Sequence, residues 1–243
     1  MSRALEAVLF DWGDTLMAYD EVATDEFAVT RTRAGLAAIR REALPEPAAI
    51  GRWFAELGTE RFREDPEDEV DYLGLLAACF ADLGCELTDD DVRLYAREAL
   101  WEAEMAVEPD ALVLLEALRS RSLKLAIVSN TALPEWLLGP VFARQGLAER
   151  VDAIVLSSEV GKRKPHRAIF ERALAKVGAR PERSLFVGDR RVQDVLGARR
   201  LGMRTVLARW FRRDVNPDGA EPDFTADGFG EVVAIVDRLD ARP

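Results

Sequence analysis

The chain has 243 residues, 49% of them hydrophobic and 32% charged, enough for one large domain or two modest ones around a buried core. Its net charge of −11, with only four lysines, excludes the basic surface on which nucleic-acid binding depends and disfavours an anionic membrane. No stretch of about 20 apolar residues is present to span a bilayer, and the N-terminal apolar run is too short for a signal peptide and is broken by Asp11, so a cytoplasmic location is expected.

In chain order, residues 5–10 (LEAVLF) form a short apolar run ending at Asp11, the pattern of a buried parallel strand. About four helices are expected between residues 21 and 104. Tyr72, Leu76, Cys79, Phe80 and Leu83 repeat at helical spacing, and Thr88 with Asp91 makes a capping-box start for the next helix. Cys79 and Cys85 lie in this region and read as core packing, and without a CxxC no cysteine-based zinc site is expected. Residues 17–105 carry 22 acidic residues against nine arginines, a net of −13 that leaves the remainder near +2. The insert is therefore an acidic unit with its own composition, read as a solvated surface.

From residue 109 helices and strands alternate. Helices are expected at 110–121, 134–145, 165–178, 191–202 and 229–239. Strands are expected at 123–128, 151–156, 184–189 and 203–208, with a weak one near 223–226. Such alternation implies βαβ units and a doubly wound, Rossmann-like parallel α/β sheet covered on both faces.

In sheets of this kind ligands sit beyond the carboxyl ends of the strands. Four of those ends carry polar groups: Asp11-Trp12-Gly13-Asp14-Thr15, Ser129-Asn130, Gly161 to Pro165 with Lys164, and Gly188-Asp189 with Asp194 five residues on. Taken singly, each is ordinary capping or turn chemistry. Together they compose a site. The carboxylates of Asp11, Asp189 and Asp194 are hard oxygen donors that suit Mg²⁺ better than Zn²⁺. Ser129 and Asn130 offer a hydroxyl and an amide to a phosphoryl oxygen, and Lys164 offers a charge to neutralise it. An ionised aspartate needs no base to act as a nucleophile.

These four segments, LFDWGDTL, LAIVSN, SSEVGKRKPHRAIF and LFVGDRRVQDVLGARRLGM, resemble the four motifs of the haloacid dehalogenase-like superfamily, and the resemblance covers the whole chain. It implies a sheet of order 3-2-1-4-5, with residues 1–16 and 106–243 as the Rossmann-like core and 17–105 as an inserted all-helical cap. It further implies a Mg²⁺-dependent hydrolase that forms an aspartyl-phosphate at Asp11. The cation would be held by Asp11, the backbone carbonyl of Gly13, Asp189 and Asp194. Ser129, Asn130 and Lys164 would bind the phosphoryl group, with Lys164 also steadying Asp11. A small phosphorylated metabolite is the implied partner.

One position departs from that pattern. Phosphatases of this family usually carry a second Asp two residues after the nucleophile, as general acid and base; here that residue is Gly13, and an Asp stands one place later, at 14. Three explanations stand open: slow turnover using water or substrate for proton transfer, Asp14 swinging in, or different chemistry. A catalytically impaired binding or regulatory protein is therefore one alternative. A 2-haloacid dehalogenase is another, although such enzymes generally lack the carboxylates seen here at 189 and 194. A lysine-dependent phosphonoacetaldehyde hydrolase is excluded, since no lysine precedes Lys124. The single histidine, His166, reads as a turn residue, and no GxSxG, P-loop, GxGxxG or HExxH is present. Arg31, Arg33 and Trp53 in the insert could touch substrate but read equally as surface arginines and a packed indole.

Overall fold

The computed structural model describes residues 5–18, 25–41, 43–56, 67–100, 106–214 and 216–241. Strand β1 (Ala7–Phe10) leads into an insert whose described helices are α1 (Asp25–Ala38), α2 (Pro47–Glu56), α3 (Tyr72–Asp82) and α4 (Asp89–Glu98). The chain continues through α5 (Pro109–Ser120), β2 (Lys124–Ser129), α6 (Glu135–Arg144), β3 (Ala153–Leu156), α7 (Ser157–Val160) and α8 (Arg167–Val177). It ends with β4 (Ser184–Gly188), α9 (Gly197–Arg200), β5 (Arg204–Ala208), β6 (Phe224–Ala226) and α10 (Phe229–Asp240). Two compact units result, one formed by Met1–Tyr19 with Met105–Pro243 and the other by Asp20–Glu104. Among the described residues no helix is long and apolar enough to cross a membrane.

The first unit is built on a parallel sheet of order β3-β2-β1-β4-β5-β6. It carries the expected order 3-2-1-4-5 and adds the weak strand as β6, paired with β5 through Val206 and Phe224. All four residues of β1 are buried, because helices cover both faces of such a sheet. Phe10 pairs with Ile127 of β2 on one side and with Val187 of β4 on the other, so three strands end at the same sheet edge. Helix α8 lays Ile169, Phe170, Ala173, Leu174 and Val177 against Ala126, Val128, Val155 and Phe186. That spacing puts all five on one helical face. The Phe170 and Phe186 rings meet edge to face at 5.1 Å, worth about 0.5–1.5 kcal/mol beyond the area they bury. A Cβ at Gly197 would lie 2.6 Å from the Phe170 ring and 3.0 Å from Pro165 Cα, so only glycine lets α9 sit this close to the segment that bears Lys164.

Two boundaries differ from the sequence expectation for physical reasons. The helix expected from 165 starts at Arg167, because His166 caps it: its Nδ1 accepts from Ala168 N at 3.1 Å. The helix expected from 191 opens as one wide turn over Arg191–Leu196, in which Val195 N donates to Arg190 O five residues back at 3.1 Å.

The second unit is a helical body with its own small core. Leu75, Leu76, Cys79 and Phe80 of α3 and Val92, Tyr95 and Ala96 of α4 are buried. Phe80 and Tyr95 meet edge to face at 5.2 Å. Thr88 and Asp91 form the expected reciprocal capping box on α4. Cys79 and Cys85 are free and buried, and burial pushes the Cys79 thiol up to about 12, which leaves it inert. Arg31 donates to Ala99 O at 3.1 Å, the Trp53 indole N–H donates to Asp82 at 2.9 Å, and Arg33 is exposed.

Candidate active site at the sheet edge

Asp11 follows β1 directly, and its backbone N–H donates to Val187 O at 2.9 Å, which carries the β1–β4 pairing one residue past the strand. Asp189 follows β4 in the same way, on the adjacent strand. The wide turn after it brings Asp194 back toward the strand end, where its Oδ2 accepts from Arg190 N at 2.9 Å. A Cβ on Gly188 would stand 2.4 Å from Asp194 Cγ, so the approach depends on glycine there. Asp11, Asp189 and Asp194 are all buried, and each offers a carboxylate oxygen within 4.8 Å of the others.

Lys164 reaches this cluster from the segment between α7 and α8. It is 3% exposed, and its Nζ lies 2.5 Å from Asp11 Oδ1 and 2.7 Å from Asp194 Oδ1. Burial opposes the ammonium charge, but Asp11 and Asp194 outweigh it and raise the lysine above its ordinary value. The acids show the opposite strain. Burial, reinforced by repulsion from Asp11 and Asp194, pushes the Asp189 carboxyl up to about 8. Burial also raises Asp194, to about 6, against the pull of Lys164. Asp189 Oδ2 is buried with no hydrogen-bond partner among the described residues, and Asp194 Oδ1 faces the Lys164 ammonium at 2.7 Å. Three buried carboxylates crowded into so small a volume, one of them with an oxygen that no hydrogen bond satisfies, fit a hard divalent cation.

Two further groups organise Lys164 and Asp11. The Asn130 side chain grips the backbone of Lys164 at both ends: its amide donates to Lys164 O at 3.0 Å, and its oxygen accepts from Lys164 N at 2.7 Å. This side chain, expected from the sequence to meet a phosphoryl oxygen, ties the end of β2 to the lysine segment through its oxygen and one of its two N–H groups. Ser129, the last residue of β2 and two beyond the partner of Phe10, is buried at the same edge. The Thr15 hydroxyl donates to Asp11 Oδ2 at 3.3 Å. Gly13 lies in the turn after Asp11, where the N–H groups of Thr15, Leu16 and Met17 all donate to Trp12 O. The Trp12 indole packs on Phe142 of α6 at 4.6 Å between centroids.

Sequence reasoning missed the loop after β5. Trp210 donates its indole N–H to Thr15 O at 3.0 Å. Arg212 donates to Asp14 Oδ2 at 2.6 Å, and its Nε lies 3.4 Å from Asp189 Oδ2. Asp14 is buried and holds a left-handed backbone with φ of 56°. The available signal was positional: β5 lies beside β4, so its carboxyl end opens on the same edge as the other four segments.

Curated relatives include a glyceraldehyde 3-phosphate phosphatase of Methanopyrus kandleri, 36% identical over 54% of this chain and 57% of that protein. A phosphoglycolate phosphatase of Aquifex aeolicus is 29% identical over 78% of this chain and 88% of the relative. The chain spans about half the length of the first several curated relatives it matches. Among solved structures, a phosphatase from Thermococcus onnurineus superposes with a TM-score of 0.60 at 23% identity, covering 96% of this chain and 98% of that one. A 2-haloacid dehalogenase from Pseudomonas syringae pv. Tomato DC3000 superposes at 0.66 with 18% identity, covering 96% and 99%. The fold is thus shared by phosphatases and dehalogenases and does not choose between them. Residues 5–202 match the family described as haloacid dehalogenase-like hydrolase, a span that runs from β1 through the turn bearing Asp194, and the chain belongs to that family.

Proposed function

We propose that this protein is a Mg²⁺-dependent phosphatase of a small phosphorylated metabolite, with Asp11 as the covalent nucleophile. The observation that carries the reading is the convergence of Asp11, Asp189 and Asp194 within 4.8 Å around the buried Lys164. Retention of both carboxylates at the end of β4 favours metal-dependent phosphoryl chemistry over dehalogenation. The names of the curated relatives, phosphatases of small phosphorylated compounds, point the same way.

In this reading Asp11, the Gly13 carbonyl, Asp189 and Asp194 hold the cation. A divalent ion bound there would neutralise phosphoryl oxygens and relieve the repulsion between a carboxylate and an anionic phosphate. Ser129 donates to a phosphoryl oxygen, and Lys164 orients Asp11 and neutralises charge as it develops. Asn130 fixes the backbone from which Lys164 projects. An Asp11 oxygen attacks phosphorus, and water later releases phosphate from the acyl phosphate. The helical unit Asp20–Glu104, inserted directly after the nucleophile loop, is assigned the part of a substrate-selecting cap.

The test is turnover of p-nitrophenyl phosphate with and without Mg²⁺, in wild type and Asp11→Asn. Mg²⁺-dependent release of nitrophenol that disappears in the variant is expected; equal hydrolysis by the two proteins would sink the reading.

A further inference from the structure

We propose that this site selects phosphoryl groups whose leaving group departs as a stable anion: aryl phosphates, acyl phosphates and phosphoanhydrides, in preference to alkyl phosphate esters. The inference rests on the phosphatase reading above and adds the class of substrate.

It follows from where the proton-bearing groups of the sheet edge are committed. Gly13, in the nucleophile turn, has no side chain. The carboxyl beside it, Asp14, is fixed twice over. Its backbone sits in the left-handed region at φ 56°, and its Oδ2 accepts a 2.6 Å hydrogen bond from Arg212. Arg212 is anchored in turn, with its Nε 3.4 Å from Asp189 Oδ2, so Asp14 is drawn toward the Asp189 flank. Trp210, on the same loop, holds the next backbone carbonyl, that of Thr15. To reach a leaving group, Asp14 would have to break a charge-assisted bond, the strongest kind in such a site. Among the other described groups at this edge, Thr15 donates its hydroxyl to Asp11, Lys164 is shared between Asp11 and Asp194, and His166 caps α8 through Nδ1, while the reading above assigns Asp189 and Asp194 to the cation and Ser129 to a phosphoryl oxygen.

The chemistry then divides substrates by leaving group. An Asp11 oxygen forms a bond to phosphorus, the bond from phosphorus to the leaving oxygen breaks, and its electron pair departs on that oxygen. A phenolate, a carboxylate or a phosphate carries that pair at neutral pH without a proton. An alkoxide does not, and it is the leaving group for which a positioned acid matters most. In the second step the departing oxygen belongs to Asp11 itself. Water adds to phosphorus, its proton passes to solvent, and the aspartate leaves as a carboxylate, again a stable anion. Both steps therefore balance without a protein acid, provided the first leaving group is weakly basic.

The experiment measures kcat/KM, which reports the first chemical step, for the full chain with Mg²⁺. The probes are a series of substituted phenyl phosphates of similar shape, then acetyl phosphate, pyrophosphate and glycerol phosphate. The expected result is a steady fall in kcat/KM as the phenol becomes more basic, with glycerol phosphate about 100-fold or more below p-nitrophenyl phosphate. In Gly13→Asp, the ratio between those two substrates should narrow by about tenfold or more. Because the ratio is taken within one protein sample, partial misfolding does not imitate it, and if the variant fails to fold the wild-type aryl series decides alone. A flat aryl series, or an alkyl phosphate turned over faster than the activated aryl esters, would mean that a proton donor reaches the leaving oxygen, and would overturn this inference while leaving the phosphatase intact. Failure to turn over even the most activated phosphate overturns both.

Discussion

The two units of this chain use the same residue type to opposite ends. The helical unit holds most of the molecule's net charge, 22 acidic residues against nine arginines, whereas the sheet-bearing unit is near neutral. Yet the carboxylates that can do chemistry lie in the nearly neutral unit. In the helical unit acids solve local problems at the surface. Asp71 caps α3 by accepting from Gly74 N, Asp91 closes the capping box and pairs with Arg41, and Asp82 accepts from the Trp53 indole. Each is solvated and contributes on the order of 1 kcal/mol or less. At the sheet edge Asp11, Asp189 and Asp194 are buried with carboxylate oxygens within 4.8 Å of one another, and buried Asp14 is tied to Asp189 through Arg212. Burial and convergence, not acidic content, create a site.

The sharpest way to break this contrast is to neutralise an acid of the buried cluster. Asp11→Asn should lower turnover by about 10⁴-fold or more, since it replaces the carboxylate proposed as nucleophile with an amide; residual activity within tenfold of wild type would refute that role. Gly188→Ala should be the next most damaging change. The added methyl meets Asp194 Cγ at 2.4 Å and must displace it, with an expected loss of about 10²-fold in activity and a matching rise in the Mg²⁺ concentration needed for half-maximal rate. Asn130→Ala leaves both backbone groups of Lys164 without their partner. Turnover should fall by about 10- to 100-fold and stability by about 1–3 kcal/mol, read by denaturant unfolding.

The buried cluster should also answer to pH and metal where the surface acids do not. Asp189 is raised to about 8 and Asp194 to about 6, so folded protein holds protons that the unfolded chain has released. In chelator, the contribution of these groups therefore declines as pH rises from about 4 through 8, since the folded state must then bear the charges. Lys164, raised from a value near 10.5, keeps its charge throughout that window. Adding Mg²⁺ at about 100 times its Kd at pH 8 should stabilise the fold by about 2.7 kcal/mol and raise Tm by about 5–10 °C, and the same concentration should do less at pH 5. A Tm indifferent to Mg²⁺ at pH 8 would rule out the cation site. The smallest effect belongs to the other class. Thr88→Ala should cost about 1 kcal/mol in the helical unit and leave the Mg²⁺ response of Tm as it was.

Much of this architecture is legible in the sequence because it is periodic. Buried strands appear as short apolar runs, and the apolar face of α8 appears as a helical repeat, so the strand ends and their residues can be located by counting. What could not be counted are contacts made by irregular backbone. Arg212 and Trp210 come from a loop after β5 with no pattern of its own, and they meet Asp14, Asp189 and Thr15 only because the sheet places β5 beside β4. Asn130 carries an amide that suits a phosphoryl oxygen in composition, and only the fold shows that it also holds both backbone groups of Lys164.

The amino-acid sequence by itself determined which residues stand at the strand ends, since alternating apolar runs and helical faces fix where each element stops. It also determined that position 13 carries no acid. Only the tertiary structure decided what those residues do to one another. Whether a carboxylate is buried with its neighbours, held by a guanidinium or left to the solvent depends on strand order and on close glycine approaches. Those bring together groups separated by more than 150 residues, and no local pattern in the chain encodes such a distance.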